Sequence, residues 1–203
     1  MKILLLGILL ICLNGFAGST FDTITKFISL NNYNWYHYYS IGLTTSLIIL
    51  LIFLKFQGGI KKHIILKKKQ YYFLPIIRGF HFAFITPIIY YSLKYIPINI
   101  FTTLLMTTPF FLIILAKFIL NEKLNSISWI AIIIGFIGVI IVLRPTNAPI
   151  NVYIFLVLLV AITNALSFTA VHKYSYMATT YGFTFYGFLP PIIISFLFFF
   201  MDP

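Results

Sequence analysis

The chain has 203 residues, of which 61% are hydrophobic and only 8% charged, a balance that argues against a water-soluble domain, where about a quarter of residues are charged. The formal charge of +11 invites a nucleic-acid reading, but the basic residues lie in short segments between apolar runs, where they orient membrane helices and meet anionic head groups. No nucleic-acid partner is therefore expected, and the single cysteine, Cys12, excludes an intrachain disulfide.

Apolar runs fall at 3–24, 38–56, 71–93, 98–120, 126–143, 151–171 and 181–200. Their lengths suit a bilayer, which needs about 20 apolar residues per helical crossing. Backbone amides in lipid must be satisfied within the segment, and barrel strands would alternate apolar with polar residues. The expected fold is an all-α membrane protein, a polytopic bundle of about seven transmembrane helices. Residues 2–19 also resemble a cleavable signal peptide, although the helical pattern continues through Phe21 to Lys26. Prolines 75, 87, 109, 190 and 191 lie inside these runs and are expected to bend the helices.

With the N-terminus on the cytoplasmic side, eleven of the fourteen basic residues fall inside, and Lys26, Lys94 and Arg144 fall outside. The Lys55–Gln70 loop, with its KKH and KKK runs, dominates this asymmetry. Sliding the chain by 147 residues superposes Phe21 on Phe168, Lys26 on Lys173, Tyr36 on Phe183 and Tyr39 on Tyr186. Five helices intervene between equivalent points, and an odd number turns the second copy upside down. Such inverted repeats are a common plan of secondary transporters. Residues 1–147 then form a first five-helix repeat and 148–203 the first two helices of an inverted second one. Two units of this size require about 294 residues, so the chain is expected to be a fragment, or part of an assembly, lacking three C-terminal helices. A homo-oligomer is the other arrangement considered.

The block from Ile76 to Pro145 contains Arg78-Gly79 near the start of a helix, a short loop ending in Pro97, Pro109 within the next run, an Asn121-Glu122-Lys123 turn, Trp129, and Gly135 and Gly138. This combination resembles an EamA-type domain of the drug/metabolite transporter superfamily, and within it the carriers of the S-adenosylmethionine uptake group. Residues 14–27, with Asp22 and Lys26, resemble that family's first helix. The resemblance implies ten helices in two inverted repeats around a central cavity, alternating access, and a small metabolite such as an amino acid or nucleotide-derived compound. It also implies a bacterial cytoplasmic membrane and no cofactor. Two other classes compete: a truncated or partner-dependent membrane protein without independent transport, and a polytopic membrane enzyme. Against the enzyme, three acids and one cysteine offer no carboxylate pair, metal cluster or activated nucleophile.

Candidate substrate-binding residues are Asp22, Lys26, Arg78, His81 and Asn164. Asp22 and Lys26, four apart, share a helix face and can pair with each other. Ionisable groups inside a span are costly and usually turn inward for function, but Lys26 near an interface could equally snorkel. Arg78 presents a fixed fork of donors suited to carboxylate or phosphate, set against snorkelling at a cytoplasmic helix end. His81, one turn further along, and His37 read more readily as hydrogen-bonded packing residues than as proton relays. Asn164, Ser167 and Thr169, with Asn14 and Thr20, either line a polar cavity or bond neighbouring helices. Gly15 with Gly18, and Ala131 with Gly135 and Gly138, are expected to let helices approach closely.

The charge asymmetry generates a test. In a Cys12-free background, a cysteine introduced at Asn99 should react with an impermeant thiol reagent on intact cells, and one introduced at Lys68 should not. Labelling at Lys68 but not at Asn99 reverses the orientation.

Overall fold

The computed structural model describes residues 2–66, 68–143 and 151–202. The boundary between the two repeats expected at 147/148 and the basic residues Lys67 and Arg144 lie outside these residues. The described chain is helical: α1 (Lys2–Leu30), α2 (Trp35–Phe56), the short α3 (Ile60–Ile64), a 3-10 turn (Lys69–Tyr72), α4 (Phe73–Tyr95), α5 (Ile98–Leu105), α6 (Thr108–Ile119), α7 (Ser126–Leu143), α8 (Val152–Lys173) and α9 (Thr180–Met201). Six segments are long and apolar enough to cross a membrane, and the Ser126–Ile141 stretch of α7 is a shorter apolar helix. All seven expected runs are thus helical. The 98–120 run is divided, because the α5 helix closes at Leu105 and Pro109 begins α6.

Polar side chains mark the helix ends. The Asn151 side chain accepts from the Tyr153 amide at 3.0 Å and opens α8, and Thr179 accepts from the Gly182 amide at 3.1 Å and opens α9. Asn32 and Asn121 adopt positive φ, 59° and 56°, and turn the chain after α1 and α6. Two of the five prolines do not bend a helix as expected. Pro75 and Pro109 occupy the first turns of α4 and α6, where the missing amide would have had no intrahelical partner anyway. Pro87, Pro190 and Pro191 lie within helices.

Helix α4 is the hub, packed against α9, α8 and α1, while α2 covers α9 and α6 covers α8. The α4–α9 contact is the closest of these. A Cβ at Gly79 would stand 2.6 Å from Pro190 Cδ and 2.9 Å from the Gly187 carbonyl oxygen. Small residues at such a crossing let backbones touch in lipid, where no hydrophobic effect drives helices together. At one end of α9, Asp202 accepts hydrogen bonds from the Tyr36 hydroxyl and, at 2.7 Å, from the Asn34 side chain, fastening α9 to the start of α2. Near the other end, the Thr179 hydroxyl donates to the His63 carbonyl at 3.0 Å, tying α9 to the basic loop.

The N-terminal helix packs on α4, sets Phe21 against the Tyr38 and Tyr39 rings of α2, and is tied to α4 by one polar side chain. The Lys26 ammonium donates to the carbonyls of Leu93 and, at 3.0 Å, of Ile96 at the end of α4. In an uninterrupted helix the Leu93 carbonyl would accept from the amide four residues on, but that residue is Pro97, which has none. Leu93 is fully buried, so its carbonyl would otherwise be stranded. The expected Asp22–Lys26 pair is therefore not formed: the amine serves the α4 terminus, where the helix dipole also favours a cation. Replacing Lys26 with Met should destabilise the folded protein in detergent by about 1–3 kcal/mol, the scale of losing a charged donor from buried carbonyls. An unchanged melting temperature, read by a thermal unfolding scan, would show the contact to be dispensable.

Candidate functional site

Two cavities border the ionisable residues Asp22, Arg78 and His81. The larger, about 690 Å³, lies between α1, the α5–α6 segment and α7, and its walls include Asn14, Ser19, Asp22, Thr102, Thr103, Met106 and Phe110. Asp22 is half-buried and makes no hydrogen bond to any described residue, so its carboxylate faces the cavity as an unengaged acceptor. The Thr102 and Thr103 hydroxyls donate to their own helix, to the Ile98 and Asn99 carbonyls at 2.9 and 2.7 Å. Their oxygens thus add further acceptor capacity, and the cavity is suited to a cationic or donor-rich solute.

Glycines make this space. Gly15, Gly18 and Gly138 line the cavity, and a Cβ on any of them would meet nothing within 4 Å. The expected close approach of helices at these three positions is not found, since they border open volume instead. Gly135 differs: it lies beneath the Phe110 ring, and a Cβ there would overlap that side chain, so the glycine makes room for a ring. The spacing of small residues was visible in sequence, but whether they face a helix or a cavity depends on where α7 sits relative to α1.

The smaller cavity, about 270 Å³, lies between α4 and α8 and is bordered by Arg78, His81, Thr163 and Ser167 among apolar neighbours that include Leu74, Ile77 and Leu166. The guanidinium rests over the rings of Phe82 and Phe168, at 5.2 and 5.9 Å from their centroids. Arg78 Nε, both ring nitrogens of His81 and the Ser167 hydroxyl are buried without a hydrogen-bond partner. The hydrogen-bonded packing role expected of His81 therefore does not hold, because Phe and Leu side chains surround a ring whose nitrogens reach no acceptor or donor. His37 packs edge-on against Phe199 at 4.8 Å.

Arg78 and His81 are thus brought together, Asp22 stands in the separate larger cavity, and Lys26 is committed to α4. Asn164 is half-buried on α8 and lines neither cavity. Of the other polar residues weighed, Asn14 and Ser167 line cavities. Thr20 and Thr169 return their hydroxyls to the Phe16 and Ala165 carbonyls at 2.9 and 2.8 Å. Sequence reasoning did not join Ser167 to Arg78. The available signal was the stripe 163, 166, 167, 170, which shares one helical face, but its partner face on α4 is set only by packing. Among the described residues no cluster of His, Cys, Asp and Glu could hold a metal ion.

The glycine geometry yields a paired expectation. Gly138→Leu should fold with little change in melting temperature while filling the larger cavity, and Gly79→Leu should lose about 1–3 kcal/mol or more through overpacking against Pro190. Thermal unfolding of both purified variants checks this, and equal destabilisation would contradict the open space at Gly138.

Comparison with known proteins gives a consistent result. The model of the EamA-like transporter family matches residues 5–144. Over 123 residues the chain is 28% identical to an S-adenosylmethionine uptake transporter of Rickettsia prowazekii (strain Madrid E) and 29% identical to one of Rickettsia conorii (strain ATCC VR-613 / Malish 7). In both cases the match covers 61% of this chain, which spans only 42% of the relative's length. A riboflavin transporter of Brucella anthropi is 37% identical over 71 residues, 35% of this chain and 25% of that protein.

Proposed function

Because this chain belongs to the EamA-like transporter family and is an integral membrane protein of apolar helices, we propose that it carries a small metabolite across a membrane by alternating access. The observation that supports this best is the 690 Å³ cavity, which places the half-buried Asp22 among Asn14, Ser19, Thr102 and Thr103 within membrane-spanning helices. An intramembrane carboxylate with no protein partner is costly, and a solute bearing a positive charge and hydrogen-bond donors would compensate it. Amino-acid-like and nucleotide-derived compounds have these groups, and relatives named for S-adenosylmethionine uptake and riboflavin transport favour the same range.

The carrier reading is preferred over a membrane enzyme because the family model and the relatives named as transporters both point to it. The first five-helix unit ends near 147, and α8 with α9 begins an inverted second unit. The cytoplasmic face carries the Lys55–Gln70 loop in a bacterial cytoplasmic membrane.

An uptake screen in proteoliposomes with radiolabelled S-adenosylmethionine, amino acids and riboflavin tests the proposal. Asp22→Asn and Arg78→Gln should each lower the rate for the transported solute at least tenfold with membrane abundance nearly unchanged. Normal kinetics in both variants would remove these residues from the site. Absence of saturable uptake for every solute, from protein shown to be folded, would favour a partner-dependent membrane protein.

A further inference from the structure

We infer that the cavity between α4 and α8 is a binding site for the carboxylate of a small solute with an apolar body, received by Arg78, His81 and Ser167. This deepens the transport reading and rests on it only for the expectation that the bound solute is carried. Binding itself is independent of transport.

The argument begins with charge. Arg78 carries a cation into a span that runs from Lys69 to Tyr95, and a cation within hydrocarbon needs a counter-charge. The chain has three acids, and none pairs with Arg78 among the described residues. Asp22 faces the other cavity, Asp202 is engaged by Tyr36 and Asn34, and Glu122 lies in the connection between α6 and α7. Among the described residues the guanidinium therefore meets only the Phe82 and Phe168 rings, and the position of a counter-ion is open to a bound anion.

Three residues with unpartnered polar atoms border this one cavity. Leu74, Ile77, Arg78 and His81 share a face of α4, and Thr163, Leu166, Ser167 and Ala170 share the facing stripe of α8. Arg78 Nε, the His81 ring nitrogens and Ser167 Oγ are buried and unbonded, yet all belong to residues lining this cavity. The other two buried unpartnered groups, the hydroxyls of Tyr39 and Ser92, belong to residues outside its lining. A planar carboxylate matches the guanidinium fork and carries the single charge that one arginine balances. Leu74, Ile77 and Leu166 then receive the apolar body, and 270 Å³ restricts the ligand to a short chain.

Depth distinguishes a solute from a lipid head group. Arg78 is four residues from the middle of its span, about 6 Å along a helix, whereas the hydrocarbon boundary lies about 15 Å from the midplane. Ser167 lies at a matching depth on the antiparallel α8. A phospholipid phosphate would have to be drawn well below its usual level to reach this site.

Isothermal titration of delipidated, detergent-purified protein with hexanoate provides the test, with hexanamide and phosphatidylglycerol as parallel titrants. Hexanoate should bind and hexanamide should bind at least tenfold more weakly. Arg78→Gln should weaken hexanoate at least tenfold and Ser167→Ala about threefold. Ala170→Leu, which fills the cavity while retaining Arg78, should also abolish binding, so the test survives if Arg78→Gln fails to fold. Equal affinity for hexanamide, or full affinity in the Ala170→Leu variant, overturns the assignment in favour of nonspecific apolar partition. Saturable phosphatidylglycerol binding that requires Arg78, with no hexanoate binding, overturns it in favour of a lipid phosphate. Hexanoate binding without any uptake by folded protein sinks the transport reading alone, and uptake of other solutes without hexanoate binding sinks this assignment alone.

Discussion

The contact from Lys26 to the end of α4 links the first helix to the hub of the bundle. Pro97 removes the amide that the Leu93 carbonyl would have used, and the Lys26 ammonium takes its place while also reaching the Ile96 carbonyl. In water a stranded carbonyl could turn to solvent. In a buried region of a membrane helix it cannot, so the proline that ends α4 creates a demand that a side chain from elsewhere must meet. Around this junction Leu93, Ile96, Phe101, Leu104 and Val157 form a buried apolar cluster joining α4, α5 and α8. This anchoring, with the packing of Phe21 on Tyr38 and Tyr39, positions α1 and with it one wall of the larger cavity.

The same requirement explains why the unsatisfied groups are informative. Most hydroxyls in the spans are absorbed locally: Thr23, Thr44, Thr45, Ser46, Thr86 and Thr184 donate to carbonyls four residues back on their own helices. Against that background, the clustering of Arg78, His81 and Ser167 without partners in one cavity is a departure from the rule that buried polar groups are bonded. It occurs where the surrounding surface is apolar and the local charge is positive.

The two cavities divide the intramembrane charge by sign. Asp22 stands with hydroxyl and amide groups between α1, α5, α6 and α7, and Arg78 stands with an imidazole and a hydroxyl between α4 and α8. Helix α4 contacts α1, α5, α8 and α9, so motion of α4 would affect the walls of both. Its contact with α9 at Gly79 and Pro190 leaves little room for sliding, whereas the glycine-lined side of α1 and α7 has space to close.

Much of the architecture was legible in the sequence because lipid imposes a simple test on a helix: enough apolar residues in a row. The seven apolar runs, the helical class and the family resemblance carried by Ile76 through Pro145 all follow from residue type and spacing. Spacing also correctly placed Asp22 and Lys26 on one face of α1, but it could not reveal that a proline in a distant loop would claim the lysine. Nor could it distinguish glycines that pack, such as Gly79 and Gly135, from Gly15, Gly18 and Gly138, which border open volume. Asn164 and Ser167 looked equivalent as polar residues of one helix, yet only Ser167 falls on the stripe that meets Arg78. A sequence specifies which side chains share a face of one helix. Which face of another helix it meets is decided by how all the helices pack together, and that lies in the tertiary structure alone.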